Sequence, residues 1–478
     1  MDKESLSLLA KRIKTKEDFL SLLNYIKQND MEANGMADKF YPFTMRHINY
    51  YCNPRHTYHR YKQFKIRKKK GGFRQITAPK NRSFMLILRY TNEILKSLYT
   101  PSDYAMGFCE GRSVVDNASL HKGHNYIFNI DLKDFFPSIE QARVWKRLQL
   151  EPFNFPVSIA NLIAGLCSMK EIREIDGCKR EYYVLPQGAP TSPIITNMIC
   201  DNLDRKLAGL AKRFGLTYSR YADDITFSSM HNVYQDDSDF QKELRRIIMG
   251  QNLTINDDKT RLQKRGAHQE VTGLTISDKI NVSQRYIRDI RNLLFIWKRW
   301  GMVVAESRFL PIYKENKGYL KKGNPNMVNV IGGKLQYLKM VRGEDDSVYQ
   351  KLSGQFQQLV DNITQCSKIN QYGITYVETY TLIEFEKIIG QSVQFKHDKN
   401  SHRYAQFMLG KYGRVASIHK SVRIADEGQK DILSISFCKD REGNPFWLVH
   451  RSDKSTIFVN SSIDIDELNN DLDSLLML

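Results

Sequence analysis

The chain has 478 residues, 41% hydrophobic and 26% charged, the balance of a globular protein too long for one typical domain. No apolar run approaches a membrane span, and the start, MDKESLSLLAKRIK, lacks the apolar core of a signal peptide, so the chain reads as cytoplasmic with no membrane partner. Net charge is +19 and uneven: residues 361–478 carry 14 Lys and Arg against 16 Asp and Glu, a net of −2, while residues 1–360 carry 58 against 37, a net of +21. A basic body of that size draws in a polyanion and accelerates encounter, without saying which kind of nucleic acid it meets. The seven cysteines are scattered with no CxxC pair, which argues against a zinc site and a disulfide framework.

The first 34 residues read as short amphipathic helices. Residues 65–79, KIRKKKGGFRQITAP, read as a basic hairpin turning at Gly71 and Gly72. Residues 126–132 are an apolar strand, and residues 185–193 a loop rich in Pro and Gly. A helix follows that Ser192 can cap, Pro193 can open and Gly215 can end. Residues 216–221 and 225–229 are strand-like runs on either side of Ala222, Asp223 and Asp224. Residues 284–300 form a long helix carrying Arg285, Arg288 and Arg291 beside an apolar face. Residues 318–326 are a loop, residues 328–359 are helical with a break near Gly343, and the composition changes near Cys366. Short strands follow at 432–437, 446–449 and 456–459, then an acidic amphipathic helix at 463–478.

Nucleotide transfer to a hydroxyl uses two divalent cations held close together. Magnesium prefers hard oxygen ligands, usually one or two carboxylates plus substrate phosphates and water. Asp131 ends one apolar strand, and Asp223 and Asp224 sit at a hairpin tip. Either set alone is weak, because acids in turns are usually solvated. Against apolar strands an unpaired carboxylate is costly, and metal binding is the natural compensation.

These residues belong to a larger pattern. Residues 129–136 (NIDLKDFF) resemble motif A of reverse transcriptases, 185–193 (LPQGAPTSP) motif B, 221–224 (YADD) the YxDD box of motif C, and 256–260 (NDDKT) motif D. Residues 72–79 (GFRQITAP) resemble the fingers motif that grips the incoming triphosphate. The resemblance implies an α+β right-hand polymerase fold, with fingers, a palm built on an antiparallel sheet and a helical thumb, plus a small α/β C-terminal domain. The expected divisions are N-terminal helices (1–34), fingers and palm (35–282), thumb (283–360) and a C-terminal extension (361–478). Asp131 and Asp223 are expected to hold two Mg2+ ions, with Leu132 in the same metal-binding group and Asp224 as the auxiliary carboxylate. Lys259 is expected to protonate the leaving pyrophosphate or stabilise its charge. Arg74 would pair with the triphosphate, and Gln187 and Gly188 would form the floor under the new base pair. Phe136 would lie beneath the sugar and exclude a 2′-hydroxyl, selecting dNTPs over NTPs. Phe135 is beside it, and one of the two rings must pack inward.

Asn117, Ala118 and His121 match the NAxxH motif of bacterial retron reverse transcriptases, and Val271, Thr272 and Gly273 match their VTG motif. The chain therefore resembles a retron reverse transcriptase with an unassigned C-terminal extension. That implies a bacterial cytoplasmic enzyme copying a partner non-coding RNA into a branched RNA–DNA hybrid, msDNA. Synthesis would start from an internal guanosine 2′-hydroxyl, and the system would serve anti-phage defence with an effector protein. RNA contacts are expected from Asn117, His121, Val271, Thr272, Gly273, Arg285, Arg288 and Arg291. The acidic last helix disfavours nucleic acid, so the extension reads as a partner-binding or homo-oligomer domain, or as a cap on the thumb. Glu384, Glu386, Asp431 and Asp440 match no catalytic spacing. The alternatives are another bacterial reverse transcriptase, defence-associated or group II intron-like, and a mainly structural RNA–DNA scaffold for an effector.

Overall fold

Residues 61–67 and 73–79 leave most of their polar and charged side chains exposed and pair as a two-stranded arm. Tyr61–Arg67 (β1) and Phe73–Pro79 (β2) pair antiparallel from Tyr61↔Pro79 to Arg67↔Phe73. The computed structural model describes residues 2–67, 72–317 and 325–366, and beyond them 375–381, 383–384, 394–397, 405–408, 414–415, 432–439, 445–451 and 456–460. Gly71 of the expected turn lies outside these residues, and Gly72 is left-handed at φ 74. At the base of the arm the buried Arg60 guanidinium donates to the carbonyls of Gly165, Leu166 and Ser168 at 2.7–3.1 Å. A cation there meets the negative end of the Val157–Cys167 helix.

The chain divides into two compact units, Met1–Ser283 and Gln284–Leu478. The first is organised on Tyr126–Lys133 (β3), which buries Ile127, Phe128, Ile130 and Leu132. Met169–Ile175 (β4) and Cys178–Val184 (β5) form a separate hairpin. Thr217–Tyr221 (β6), Asp224–Ser229 (β7) and Thr254–Lys264 (β8) complete an antiparallel sheet in the order β6-β7-β3-β8. Phe128, Ile130 and Leu132 pack in one core with Leu203, Leu207 and Leu210 of the Ser192–Arg213 helix and Phe240 and Leu244 of the Asp239–Met249 helix. Each such side chain contributes roughly 1.5–3 kcal/mol by leaving water. The N-terminal end of the Ser192–Arg213 helix enters a second core through Ile194, Ile195 and Met198, with the Lys16–Ala33 and Arg82–Leu98 helices.

The expected cap of that helix is displaced by one residue. Thr191 is the N-cap, without a side-chain bond, and Ser192 is already helical. Its hydroxyl donates instead to Pro186 O at 2.7 Å and braces the preceding loop. Gly215 follows the C-terminal end at φ 64, as its position predicts. Gln269–Val271 (β9), Leu274–Ile276 (β10) and Ile280–Asn281 (β11) make a small antiparallel sheet.

The second unit begins with the Gln284–Lys317 helix, interrupted at Gly301 (φ 86, ψ 171). The Met327–Arg342 helix ends at Gly343, φ 89, where the break was expected. The Ser347–Cys366 helix continues through residue 361. Thr375–Thr381, Ile432–Lys439, Pro445–Arg451 and Thr456–Asn460 form a four-stranded antiparallel sheet in that order. The acidic helix at 463–478, residues 318–324 of the expected loop, and Glu386, Asp431 and Asp440 lie outside the described residues. Among the described residues no helix is long and apolar enough to cross a membrane.

Candidate active site

Asp223 sits in a two-residue turn. Tyr221 pairs with Asp224, leaving only Ala222 and Asp223 between β6 and β7. Ala222 is left-handed at φ 59, which an L-residue adopts only when its surroundings hold it there. The surroundings are dense. A Cβ on Gly107 would lie 2.6 Å from Ala222 N, so only glycine lets that backbone press against the tip. Arg220, fully buried, donates to both oxygens of the buried Asp204 at 2.7 Å, to Asn197 Oδ1 at 3.1 Å and to Ala222 O at 3.2 Å. Asn197 in turn donates to Gly107 O at 3.0 Å. The helix after the Pro/Gly loop thus holds the tip through side chains from its apolar interior.

Asp131 on β3 pairs with Asp224 on β7, and Leu132 N donates to Asp223 O at 3.0 Å. The three carboxylates therefore belong to adjoining strand ends. On the other side, the β3–β8 register slips by three residues between Asn129↔Arg261 and Asp131↔Asn256. Such a bulge re-aims side chains. It places Lys259 Nζ 2.7 and 2.8 Å from the two Asp131 oxygens, with Asn256 Nδ2 2.9 Å from Oδ2. Lys259 therefore lies on a strand and not in a polar turn. Burial raises the Asp223 carboxyl above the usual range, and the Asp131 charge adds to this against Arg74 and Lys259. Asp224 keeps an exposed edge, yet burial, then Asp223 and Asp131, push its carboxyl up to about 7.

These groups open onto a cleft of about 880 Å3 lined by Arg74, Asp131, Leu132, Phe136, Gln187, Asp223 and Lys259, among others. Neither Asp224 nor Gly188 lines it. Both rings border the cleft; Phe135 packs into the core at 3% exposure, and Phe136 is the more exposed of the two. The loop carrying Gln187 is tied to the arm by Thr77 N donating to Gln187 O at 2.8 Å. Gly188 has φ 130, and a Cβ there would meet Ile76 Cγ2 at 2.9 Å and Thr77 O at 3.0 Å. Its close backbone approach is to β2 of the protein itself.

Among the described residues, no three His, Cys, Asp or Glu side chains are gathered into a ready metal cage. The donor set nevertheless suits magnesium. It offers hard carboxylate oxygens whose proton affinity is raised by burial and then by one another's charge, and Mg2+ takes only one or two carboxylates when phosphates and water supply the rest.

Two expected RNA contacts need correction. Asn117 is 1% exposed and His121 0%, so neither side chain reaches an RNA surface. Both serve a buried hydrogen-bond network. Val271 is buried too, whereas Thr272 is half-buried and Gly273 exposed at the β9–β10 turn. In the second unit Arg285, Arg288 and Arg291 are all exposed at three-residue spacing along one helix face. Sequence reasoning missed Gly107, Asn197, Asp204, Arg220 and Asn256. A signal existed for two of them: an arginine inside a buried strand and an aspartate on an apolar helix face require each other.

A family profile described as reverse transcriptase (RNA-dependent DNA polymerase) matches residues 66–277. The chain is 36% identical over 258 residues to the retron Mx65 reverse transcriptase of Myxococcus xanthus, covering 52% of this chain and 58% of that one. It is 37% identical over 193 residues to the retron Ec86 reverse transcriptase of Escherichia coli, covering 40% and 55%. It spans about half the length of these two relatives. The retron Ec83 reverse transcriptase of Escherichia coli is 30% identical over 242 residues, 50% of this chain and 76% of that one. A telomerase structure from Candida albicans, 12% identical with a TM-score of 0.34 over 63% of each chain, is too distant to bear on the fold. With motifs A, C and D on one sheet and the match extending over most of a relative's length, the chain belongs to the retron reverse transcriptase family.

Proposed function

We propose that the protein is an RNA-directed DNA polymerase that copies a partner non-coding RNA into branched msDNA from a 2′-hydroxyl primer. The observation that carries the polymerase is the meeting of Asp131, Asp223, Arg74 and Lys259 in one cleft, from four segments far apart in sequence. Asp131 and Asp223, with Leu132 contributing through its main chain and Asp224 through its charge, would hold two Mg2+ ions. Bound there, the ions supply activation of the attacking hydroxyl and neutralisation of triphosphate charge. Arg74, on the cleft wall, would present a planar guanidinium to phosphate oxygens. Lys259 would give a proton to the departing pyrophosphate or stabilise its charge. Phe136, which lines the cleft, would exclude a 2′-hydroxyl and so favour dNTPs. Gln187 and Gly188, anchored to β2, would support the new base pair. The exposed arginines at 285, 288 and 291 would follow a phosphate backbone.

The branched product, the partner RNA, the effector and the defence role are supported by family membership alone. The test is co-purified nucleic acid. The wild type and Asp223→Asn are expressed with native flanking DNA, and bound nucleic acid is run on a denaturing gel with and without RNase and debranching enzyme. A discrete DNA band in wild type only, shifted by both treatments, is expected. A band unaffected by debranching would keep the polymerase and remove the branched product. No DNA from an otherwise folded wild type would sink the polymerase reading.

A further inference from the structure

His121 is buried between the two strands that carry the catalytic hairpin, and its neighbours determine which nitrogen holds the proton. Its Nε2 lies 2.7 Å from Ser219 Oγ on β6, and its Nδ1 lies 2.7 Å from Ser228 Oγ on β7. Ser219 donates its own proton to Asn117 Oδ1 at 2.6 Å, so towards the imidazole it can only accept. The ring is therefore the Nε2–H tautomer, and Ser228 donates to the bare Nδ1. Burial keeps the imidazole neutral. Asn117 extends the chain: its Nδ2 lies 3.5 Å from Thr272 Oγ1, the outer limit of a hydrogen bond, and Thr272 donates to Val114 O at 3.3 Å. Each donor meets one acceptor from the YxDD hairpin to the VTG turn.

Both ends of this chain need holding. Among the described residues β6 is the edge strand of its sheet, paired on one side by β7 and on the other only by a single parallel bridge, Ala105↔Arg220. Thr272 is left-handed at φ 48, an outlying conformation for a β-branched residue, with Gly273 beside it at φ 80. We propose that Asn117 and His121 are positioning residues of the polymerase centre. They lock β6 to β7 through Ser219 and Ser228, fix the tip that carries Asp223, and anchor that lock on the VTG turn. The NAxxH motif then acts inside the protein and not as a reader of RNA. The inference rests on the reading of Asp131 and Asp223 as the polymerase centre.

The test separates positioning from RNA reading. Wild type, His121→Leu, His121→Gln and Ser219→Ala are assayed for dTTP incorporation on poly(rA)·oligo(dT), a template with no structure to recognise. Each is also assayed for retention of the RNA that co-purifies with wild type from its native flanking DNA. His121→Leu is expected to lower kcat on poly(rA)·oligo(dT) roughly ten- to hundredfold, the scale of a small misplacement at a reacting centre. KM for dTTP and RNA retention should stay near wild type. His121→Gln keeps an N–H for Ser219 and should recover part of the loss. Ser219→Ala removes two bonds at little volume change, should lower kcat in the same way, and decides the matter if His121→Leu does not fold. Unchanged kcat in Ser219→Ala, or lost RNA retention with intact kcat on poly(rA)·oligo(dT), would overturn the proposal. A folded wild type that is inactive on poly(rA)·oligo(dT) and carries no DNA when expressed with its native flanking DNA would remove the polymerase reading, and this inference with it.

Discussion

Lys259 Nζ bridges both carboxylate oxygens of Asp131, at 2.7 and 2.8 Å, across a three-residue slip in the β3–β8 ladder. The lysine is half in solvent and the aspartate nearly buried, with side-chain exposures of 56% and 13%. A pair that open adds little to stability, on the order of 0–1 kcal/mol. Its effect belongs to the chemistry. Lys259→Met is expected to leave the melting temperature within a degree or so of wild type while slowing single-nucleotide incorporation about a hundredfold, the lower range for loss of a general acid. Rapid-quench kinetics with saturating dTTP would show it. An unchanged incorporation rate would leave the contact a surface ion pair.

The Asp224 carboxyl, pushed up to about 7 by burial and by Asp223 and Asp131, gives a pH dependence with a definite sign. Between the usual carboxylate range, near 3.8, and about 7, the folded chain keeps a proton that the unfolded chain has released. Stability of the metal-free protein therefore falls as pH rises through that window. Melts in EDTA from pH 5 to pH 8 should show a declining midpoint, and Asp224→Asn should flatten the decline. The same proton competes with a cation, so Mn2+ affinity should weaken below about pH 7 in wild type. A midpoint that rises steadily from pH 5 to pH 8 would contradict the assignment.

The carboxylates were legible in the sequence because each sits in a short local pattern: an acid at the end of an apolar strand, and two acids between strand-like runs. A lone histidine such as His121 is more often a satisfied structural residue, and it is one here; the burial of Asn117 was not legible, since a polar helix end gives no sign that Ser219 will enclose it. Nor does a sequence report the register slip that brings Lys259 over Asp131. That slip depends on where β8 pairs with β3, more than a hundred positions away. Gly107 and Gly188 look like ordinary turn glycines until the backbone each one touches, Ala222 or Thr77, is placed.

Phe135 and Phe136 separate stability from selectivity at adjacent positions. Phe135 is a core ring, and Phe135→Ala should cost about 3–5 kcal/mol of stability, seen as a large fall in melting temperature. Phe136 lies on the cleft wall, so Phe136→Ala should melt much closer to wild type. It should instead lower the preference for dTTP over UTP on poly(rA)·oligo(dT) by roughly a hundredfold, the range that steric exclusion of a small group can supply. Retained preference in a folded Phe136→Ala would move the sugar gate elsewhere in the cleft.

Gly107 tests whether the hairpin tip is set from outside the hairpin. A methyl group at this position would begin 2.6 Å from Ala222 N and within 3.2 Å of Tyr221 Cα, both backbone atoms that cannot rotate away. Gly107 O also accepts from Asn197, which shares Arg220 with Asp204, so the loop cannot retreat without loosening the buried ion pair. The tip must therefore move, and Asp223 moves with it. Gly107→Ala is expected to lower kcat at least tenfold, as a displacement near 1 Å does at a reacting centre, while affinity for poly(rA)·oligo(dT) stays near wild type. Gly209→Ala, at a helical position with nothing within 4 Å of the added carbon, is the matched control and should be silent. Equal activity in the two variants would mean that the Gly107 loop yields more easily than the hairpin, and that Asp223 is positioned from within β6 and β7 alone.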